Sequence, residues 1–226
     1  MFSSHEITVG ARGSPLSCAQ VQEVYDELLK FHPHVIFQPI WVETTGDRDL
    51  KTSLASLDKT DFFTKEVDAL QLAGGCRISI HSAKDLPDPL SRGLTLIALT
   101  RGLDPSDALV LRTGDTLATL PPHARIGTSS IRRQHVIHEL RSDLRCVDIR
   151  GTIGRRLALL DQGEIDGVII AEAALMRLGL TDRPRIQLTG ETAKHQGRLA
   201  VLAREEDVEM KQLFACIDEK DSLLGH

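Results

Sequence analysis

The sequence predicts an α/β protein whose sheets are largely parallel and covered by helices. Three observations carry this reading. Short apolar runs alternate along the chain with stretches whose apolar residues recur at helical spacing, the pattern of repeated strand and helix units. The 226 residues suffice for one large domain or two of about 100 residues each, with a sizeable buried core. Apolar residues make up 41% and charged residues 26%, near the average for globular domains, which excludes a disordered or fibrous chain.

The elements follow in order. Ile7 to Val9 reads as the first strand, and Ala19 to Phe31 as the first helix. Val35 to Val42, mostly β-branched and aromatic, is the second strand. Thr64 to Ala73 is the next helix, with Arg77 to Ile80 the strand behind it, and Leu94 to Leu99 continues as a largely apolar strand. Arg125 to Gly127, Arg145 to Ile149 and Val168 to Ala171 are further strands, with helices at Ile131 to Leu140 and Ile153 to Gln162 between them. Leu199 to Ala203 and Val208 to Ile217 give the last strand and helix. Two segments break the alternation. Thr44 to Asp61, polar and charged, reads as a long mobile loop, and Arg101 to Pro122, rich in Gly, Pro and Asp, as the place where the chain crosses between domains.

Composition narrows the function. No stretch nears the roughly 18 apolar residues of a membrane span, and Met1 to Glu6 lacks the basic and apolar regions of a secretory signal. A cytoplasmic chain without membrane association is expected. Lys and Arg number 27 against 32 Asp and Glu, a net charge of -5, which argues against a generic nucleic-acid binder and makes any anion site a local one. Cys18, Cys76, Cys146 and Cys216 lie far apart without a C-x-x-C pair, so no metal site or disulfide framework is expected and the thiols read as reduced.

The arginines carry the chemistry, because several fall just after a strand or at a helix start, positions that line clefts in α/β folds. Arg12-Gly13-Ser14-Pro15 follows the first strand and opens a helix, placing backbone N–H groups and a hydroxyl beside a guanidinium; an ordinary strand-to-helix turn is the alternative. In Gly127-Thr128-Ser129-Ser130-Ile131-Arg132-Arg133, hydroxyl residues cap a helix whose first turn holds two arginines. Cations there oppose the helix dipole, and a bound anion would resolve the conflict; a solvated arginine pair is the alternative. Arg150-Gly151-Thr152-Ile153-Gly154-Arg155-Arg156 is a third such junction. Three of them in an acidic chain point to a ligand with several carboxylates or phosphates. No G-x-x-x-x-G-K-[ST] loop accompanies them, so carboxylates are at least as good a reading as a nucleotide.

His81-Ser82-Ala83-Lys84-Asp85-Leu86-Pro87 sets a lysine and an aspartate at a strand's carboxyl edge. An ionised carboxylate among cations could stabilise a developing positive charge or move a proton. Taken alone, Asp85 reads as a turn residue and His81 as a structural histidine.

Together these segments resemble the porphobilinogen deaminase (hydroxymethylbilane synthase) family from about residue 7 to the end. Arg-Gly-Ser-Pro-Leu at 12 to 16, Thr-x-Gly-Asp at 44 to 47, Phe-Thr-Lys-Glu at 63 to 66, His-Ser-x-Lys-Asp-x-Pro at 81 to 87, Gly-Thr-Ser-Ser-x-Arg-Arg-Gln at 127 to 134, Ile-Arg-Gly at 149 to 151 and Arg-Leu-Gly-Leu at 177 to 180 occur in the family's order and spacing. The resemblance implies Asp85 as the catalytic residue. It assigns Arg12, Ser14, Lys84, Arg132, Arg133, Arg150, Arg156 and Arg177, with Ser129 beside them, to the acetate and propionate groups of substrate and growing chain. The implied reaction is stepwise condensation of porphobilinogen into a linear tetrapyrrole in haem biosynthesis. Ammonia leaves at each step to give an azafulvene, which the preceding pyrrole attacks. Porphobilinogen is then the small-molecule partner, and the chain is expected to act as a monomer.

The resemblance also implies two periplasmic-binding-protein-like domains joined by two hinge crossings, residues 1–100 with 191–226 and residues 101–190. Family members carry a dipyrromethane primer on a cysteine of a third domain. That domain should begin where this chain ends, so a short form without it is expected, and none of the four cysteines matches the anchor. Cys216 falls on the return helix, and all four are expected to be buried, unreactive thiols. The family's Gly-Gly-Lys-Gly loop reads Asp58-Lys59-Thr60-Asp61 here, with Ser56 in place of a lysine; Arg-Gly-Asn becomes Arg150-Gly151-Thr152, and Val-Gly-Gln-Gly becomes Lys194-His195-Gln196-Gly197. Two classes of function remain: the transferase, and a non-catalytic clamp that keeps the pyrrole pocket. Retention of Asp85 favours the transferase. An exported solute receptor shares the architecture but requires a signal sequence.

Overall fold

The computed structural model describes residues 5–49 and 61–219, and the chain divides into two compact units. Among the described residues, 5–48, 61–103 and 198–219 form the first unit; 104–197, with Asp49, form the second.

The first unit begins with strand β1 (His5–Arg12), whose Ile7, Val9 and Ala11 are fully buried. Helix α1 (Pro15–Leu29) starts where Ser14 caps it, the Ser14 hydroxyl accepting from Ser17 N at 3.2 Å, and Pro15 sits where its missing N–H costs nothing. Val21, Val24 and Leu28 line its buried face, each contributing about 1.5–3 kcal/mol by burial. Strand β2 (Val35–Val42) follows, then the single turn α2 (Thr45–Arg48), a 3₁₀ turn at Asp61–Phe63, α3 (Lys65–Leu72), β3 (Ile78–Ser82), a second 3₁₀ turn at Ala83–Asp85, and β4 (Leu94–Leu99).

The second unit holds β5 (Asp107–Val110), β6 (Arg125–Gly127), α4 (Ile131–Leu140), β7 (Arg145–Val147), α5 (Ile153–Asp161), β8 (Gly167–Ala171), α6 (Glu172–Arg177) and β9 (Arg185–Leu188). The chain then returns to the first unit as β10 (Leu199–Arg204), α7 (Val208–Phe214) and a 3₁₀ turn at Ala215–Ile217.

Among the described residues each unit contains one five-stranded sheet, in the orders β2-β1-β3-β10-β4 and β7-β6-β8-β5-β9. The two are built alike. Parallel pairs join β1 to β2 and β3, and β6 to β7 and β8; β10 and β5 run antiparallel to both of their neighbours. In both sheets the antiparallel strand is the first strand made after the chain changes unit. The largely parallel sheets expected from the sequence are present, with four of the five strands in each running the same way; the fifth is reversed because a strand arriving from another unit needs no crossover helix to orient it. Residues 199–203 are at most 1% exposed, and the strand sits between β3 and β4. Its side chains join the first core with Ile78, Ile80, Met210 and Phe214. The second core gathers Leu109, Ile126, Ile137 and Ile169.

Three elements escaped the sequence reading: β5 and β9, both short, and α6, which abuts β8 without a linker. The expected loop from Thr44 is also corrected at its start, where Thr45–Arg48 forms a helical turn held by ionic contacts. Residues 50–60, including Ser56 and Asp58 to Thr60, lie outside the described residues. His195, where the family pattern has glycine, takes the left-handed conformation (φ 59°). No helix among the described residues is long and apolar enough to cross a membrane.

Candidate active site

In the first unit, the carboxyl ends of β1 and β3 bring Arg12, Ser14 and Asp85 to one cavity. It is lined by Arg12, Ser14, Gln20, Phe63, His81 and Asp85, among others. Arg12 ends β1, and its guanidinium lies 4.6 Å over the Phe63 ring. Its fork is filled from within: Nε donates to Asp47 Oδ2 at 3.2 Å and Nη2 to Asp47 Oδ1. Thr44 fixes that carboxylate, donating from N at 3.0 Å and from Oγ1 at 2.8 Å. Burial raises the Asp47 carboxyl, but the bonds from Arg12 and Thr44 outweigh it and hold its pKa below the ordinary value. Gly46 completes the motif, because a Cβ there would collide with the Phe63 ring. The Thr-x-Gly-Asp segment is thus the support that orients Arg12, a role the sequence reading did not give it.

Asp85 closes the 3₁₀ turn after β3 and is half-buried. Lys84 precedes it on the same turn. His81 is buried, and burial with the charge of Arg12 lowers its pKa to about 4, so it is neutral near neutral pH.

The second unit repeats the design with a different balance. Ser130 caps α4, and Arg132 and Arg133 occupy its first turn, as predicted. The anion that answers them belongs to the chain. Asp107, the first residue of β5 and only 3% exposed, accepts from Arg132 Nη2 at 2.7 Å, Arg133 Nη2 at 2.5 Å and Gln196 Nε2 at 3.0 Å. Burial raises this carboxyl, yet the charges and hydrogen bonds of Arg133 and Arg132 prevail and lower its pKa. The sequence reading offers a bound anion or a solvated arginine pair; Asp107 instead answers the clash with the helix dipole in part, since one carboxylate faces two guanidiniums. An aspartate leading into the apolar run 108–111 was the available signal.

The other predicted residues have backbone partners. The buried Ser129 hydroxyl donates to Ile149 O, which ties the α4 cap to the segment carrying Arg150. Arg150 donates to Asp49 O at 3.0 Å, Arg156 to Gly151 O at 2.9 Å and Arg177 to Gly197 O at 2.8 Å. Gly151, at φ 99°, turns the chain into α5 behind the Thr152 cap. Of the cysteines only Cys76 is buried, with burial pushing its thiol to about 11. Cys216 is exposed on the 3₁₀ turn after α7, which corrects the expectation of four buried thiols, although partial burial still raises its pKa. None of the four lines the cavity.

Two α/β units of this topology define a fold of the periplasmic-binding-protein-like class. A periplasmic substrate-binding protein from Coxiella burnetii shares the fold, with a TM-score of 0.58 at 15% identity over 93% of this chain and 91% of its own. Residues 7–212 match the family model described as porphobilinogen deaminase, dipyromethane cofactor binding domain. The porphobilinogen deaminase of Streptococcus sanguinis is 40% identical over 95% of this chain and 72% of its own length, and a probable porphobilinogen deaminase of Chlamydia pneumoniae is 40% identical over 93% and 89%. The chain belongs to the porphobilinogen deaminase family, a family of transferases. Its residues fit the dipyrromethane for which the family domain is described. Arg132 and Arg133 share a single carboxylate, and the buried Arg133 Nε has no hydrogen-bond partner, leaving donors and positive charge for acidic side groups.

Proposed function

We propose that this chain is a hydroxymethylbilane synthase, joining porphobilinogen units head to tail into a linear tetrapyrrole with loss of ammonia at each step. The observation that carries the reading is Asp85, a carboxylate lining one cavity with Arg12 and Ser14. Arg12, Ser14 and Lys84 in the first unit, and Arg132, Arg133, Arg150, Arg156 and Arg177 in the second, hold the acetate and propionate groups, while Ser129 fixes the loop that carries Arg150. Dipyrromethane, when bound, supplies the free pyrrole α-carbon to which the first unit is joined. In each step the substrate's C–N bond breaks with the electron pair leaving on nitrogen. The methylene carbon bonds to the acceptor's α-carbon, and that carbon releases its proton. Asp85 stabilises the positive charge spread over the substrate's ring nitrogen and takes up the proton, a role that favours the transition state over the ground state.

The test is incubation of purified protein with porphobilinogen, followed by porphyrin absorbance after oxidation. Asp85→Asn is expected to lose about 100-fold or more in turnover while binding porphobilinogen nearly as before. Unchanged turnover in this variant, or equal losses of binding and rate, would remove Asp85 from the chemistry. Intact-mass measurement of the same samples reads whether Cys18, Cys76, Cys146 or Cys216 carries a pyrrole adduct; the mass of the polypeptide alone is expected.

A further inference from the structure

The protonation of His81 is dictated by a chain of hydrogen bonds that begins deep in the first core. Gln71, fully buried on α3, donates from Nε2 to Arg77 O at 3.1 Å and to Leu202 O at 2.9 Å. Both amide protons are used, and the amide cannot be reversed without setting an oxygen against two carbonyl oxygens. Gln71 Oε1 therefore faces Ser79 and accepts its hydroxyl proton at 2.8 Å. Ser79 has no second proton to give, so its oxygen meets His81 Nε2, 3.0 Å away, as an acceptor. The proton of the neutral imidazole must sit on Nε2. Asp68 Oδ1 lies 4.0 Å from the same nitrogen, a second oxygen on the side of the N–H. Because burial and the Arg12 charge keep the ring uncharged, this contact is not an ion pair. What is left is Nδ1, a nitrogen with a lone pair, on a ring that lines the cavity with Arg12 and Asp85.

We propose that His81 Nδ1 accepts a hydrogen bond from an N–H group of the pyrrole ligand, with Ser79 and Gln71 acting as positioning residues that hold the required tautomer. This rests on the reading of the chain as a porphobilinogen-condensing enzyme. The donor is either the ring N–H or the aminomethyl nitrogen. A neutral acceptor suits either one: it orients the N–H without adding a second negative charge beside Asp85.

The experiment is nitrogen NMR on histidine-labelled protein, with the His81 signals assigned by their loss in His81→Gln. At rest and neutral pH, Nε2 is expected to give the protonated signal and Nδ1 the bare one, and Ser79→Ala to release the ring into a mixture of tautomers. A resting proton on Nδ1, or an unchanged ring in Ser79→Ala, overturns the relay. Adding porphobilinogen is expected to move the Nδ1 signal. If the same pyrrole diacid lacking its aminomethyl group moves it equally, the donor is the ring N–H; if only porphobilinogen does, it is the aminomethyl nitrogen. His81→Gln, which keeps a donor for Ser79 but puts no acceptor at the Nδ1 position, is expected to weaken porphobilinogen binding about tenfold. His81→Asn, which places a carbonyl near that position, is expected to recover most of it. A protein that condenses porphobilinogen while Nδ1 stays unmoved refutes this inference and leaves the enzymatic reading standing. A protein that neither binds nor condenses porphobilinogen refutes both.

Discussion

The two units solve the same problem with different stoichiometry. In the first, Arg12 meets Asp47 one to one, and both are partly solvated. In the second, Arg132 and Arg133 converge on Asp107, which is almost wholly enclosed. The first pairing is neutral and serves to aim a guanidinium across Phe63; the second keeps an excess of one positive charge. The first unit's cavity is also lined by a half-buried carboxylate, Asp85, and a neutral histidine, His81. The lesson is that one strand-end motif can be balanced in two ways: a carboxylate for each guanidinium, or one carboxylate shared between two.

The sharpest way to break this comparison is to remove each aspartate. Asp107→Ala strands two guanidiniums and is expected to cost about 3–5 kcal/mol, against about 1–2 kcal/mol for Asp47→Ala. Urea denaturation of both variants measures this, and equal losses would end the distinction.

Acid should separate the units next. His81 has a folded pKa of about 4 against an ordinary 6.5, so the unfolded chain takes up its proton first as the pH falls. The stability it contributes is intact above pH 6.5, declines through the interval and is gone below about 4, a loss of about 3 kcal/mol. Urea midpoints across this range should fall more steeply for the wild type than for His81→Gln. Equal slopes would show that the ring is not buried as a neutral base.

Ligand affinity comes third. Arg132→Ala or Arg150→Ala is expected to weaken porphobilinogen binding by about 1.5–3 kcal/mol, and Arg12→Ala by less, because Asp47 already fills its fork. Calorimetric titration ranks the three. The smallest effect is expected at His195: replacement by glycine removes the cost of a left-handed side-chain residue and should stabilise the protein by about 1 kcal/mol or less, read from thermal unfolding.

Much of this was legible in the amino-acid order where the signal is local. Ser14, Ser130 and Thr152 announce their helices because a cap is a contact three residues long. The apolar runs at 94–99 and 199–203 announce buried strands because enclosure on both faces removes the alternation. Four residues at 107–110 between Pro105 and Arg112 are too few to show a period, and β9 is equally short. The arginines of the site were visible for their unusual places at strand ends. Their partners were not, since Asp47 stands 35 residues from Arg12, and Asp107 stands 25 and 26 from Arg132 and Arg133. Those pairs exist only once the sheets have formed. The expected burial held for Cys76 but failed for Cys216 for the same reason, as Cys216 lies on a short turn whose exposure depends on how α7 packs.

The position of β10 between β3 and β4 sets an order on synthesis. A ribosome delivers β3 and β4 more than a hundred residues before the strand that must lie between them, so the nascent first unit carries two open sheet edges while the second unit is being made. The second unit is spared this wait: all five strands among its described residues lie within 104–197, so its described sheet can close before the first. During that interval the apolar strands of the first unit are the part of the nascent chain most exposed to mispairing and the natural place for a chaperone to bind.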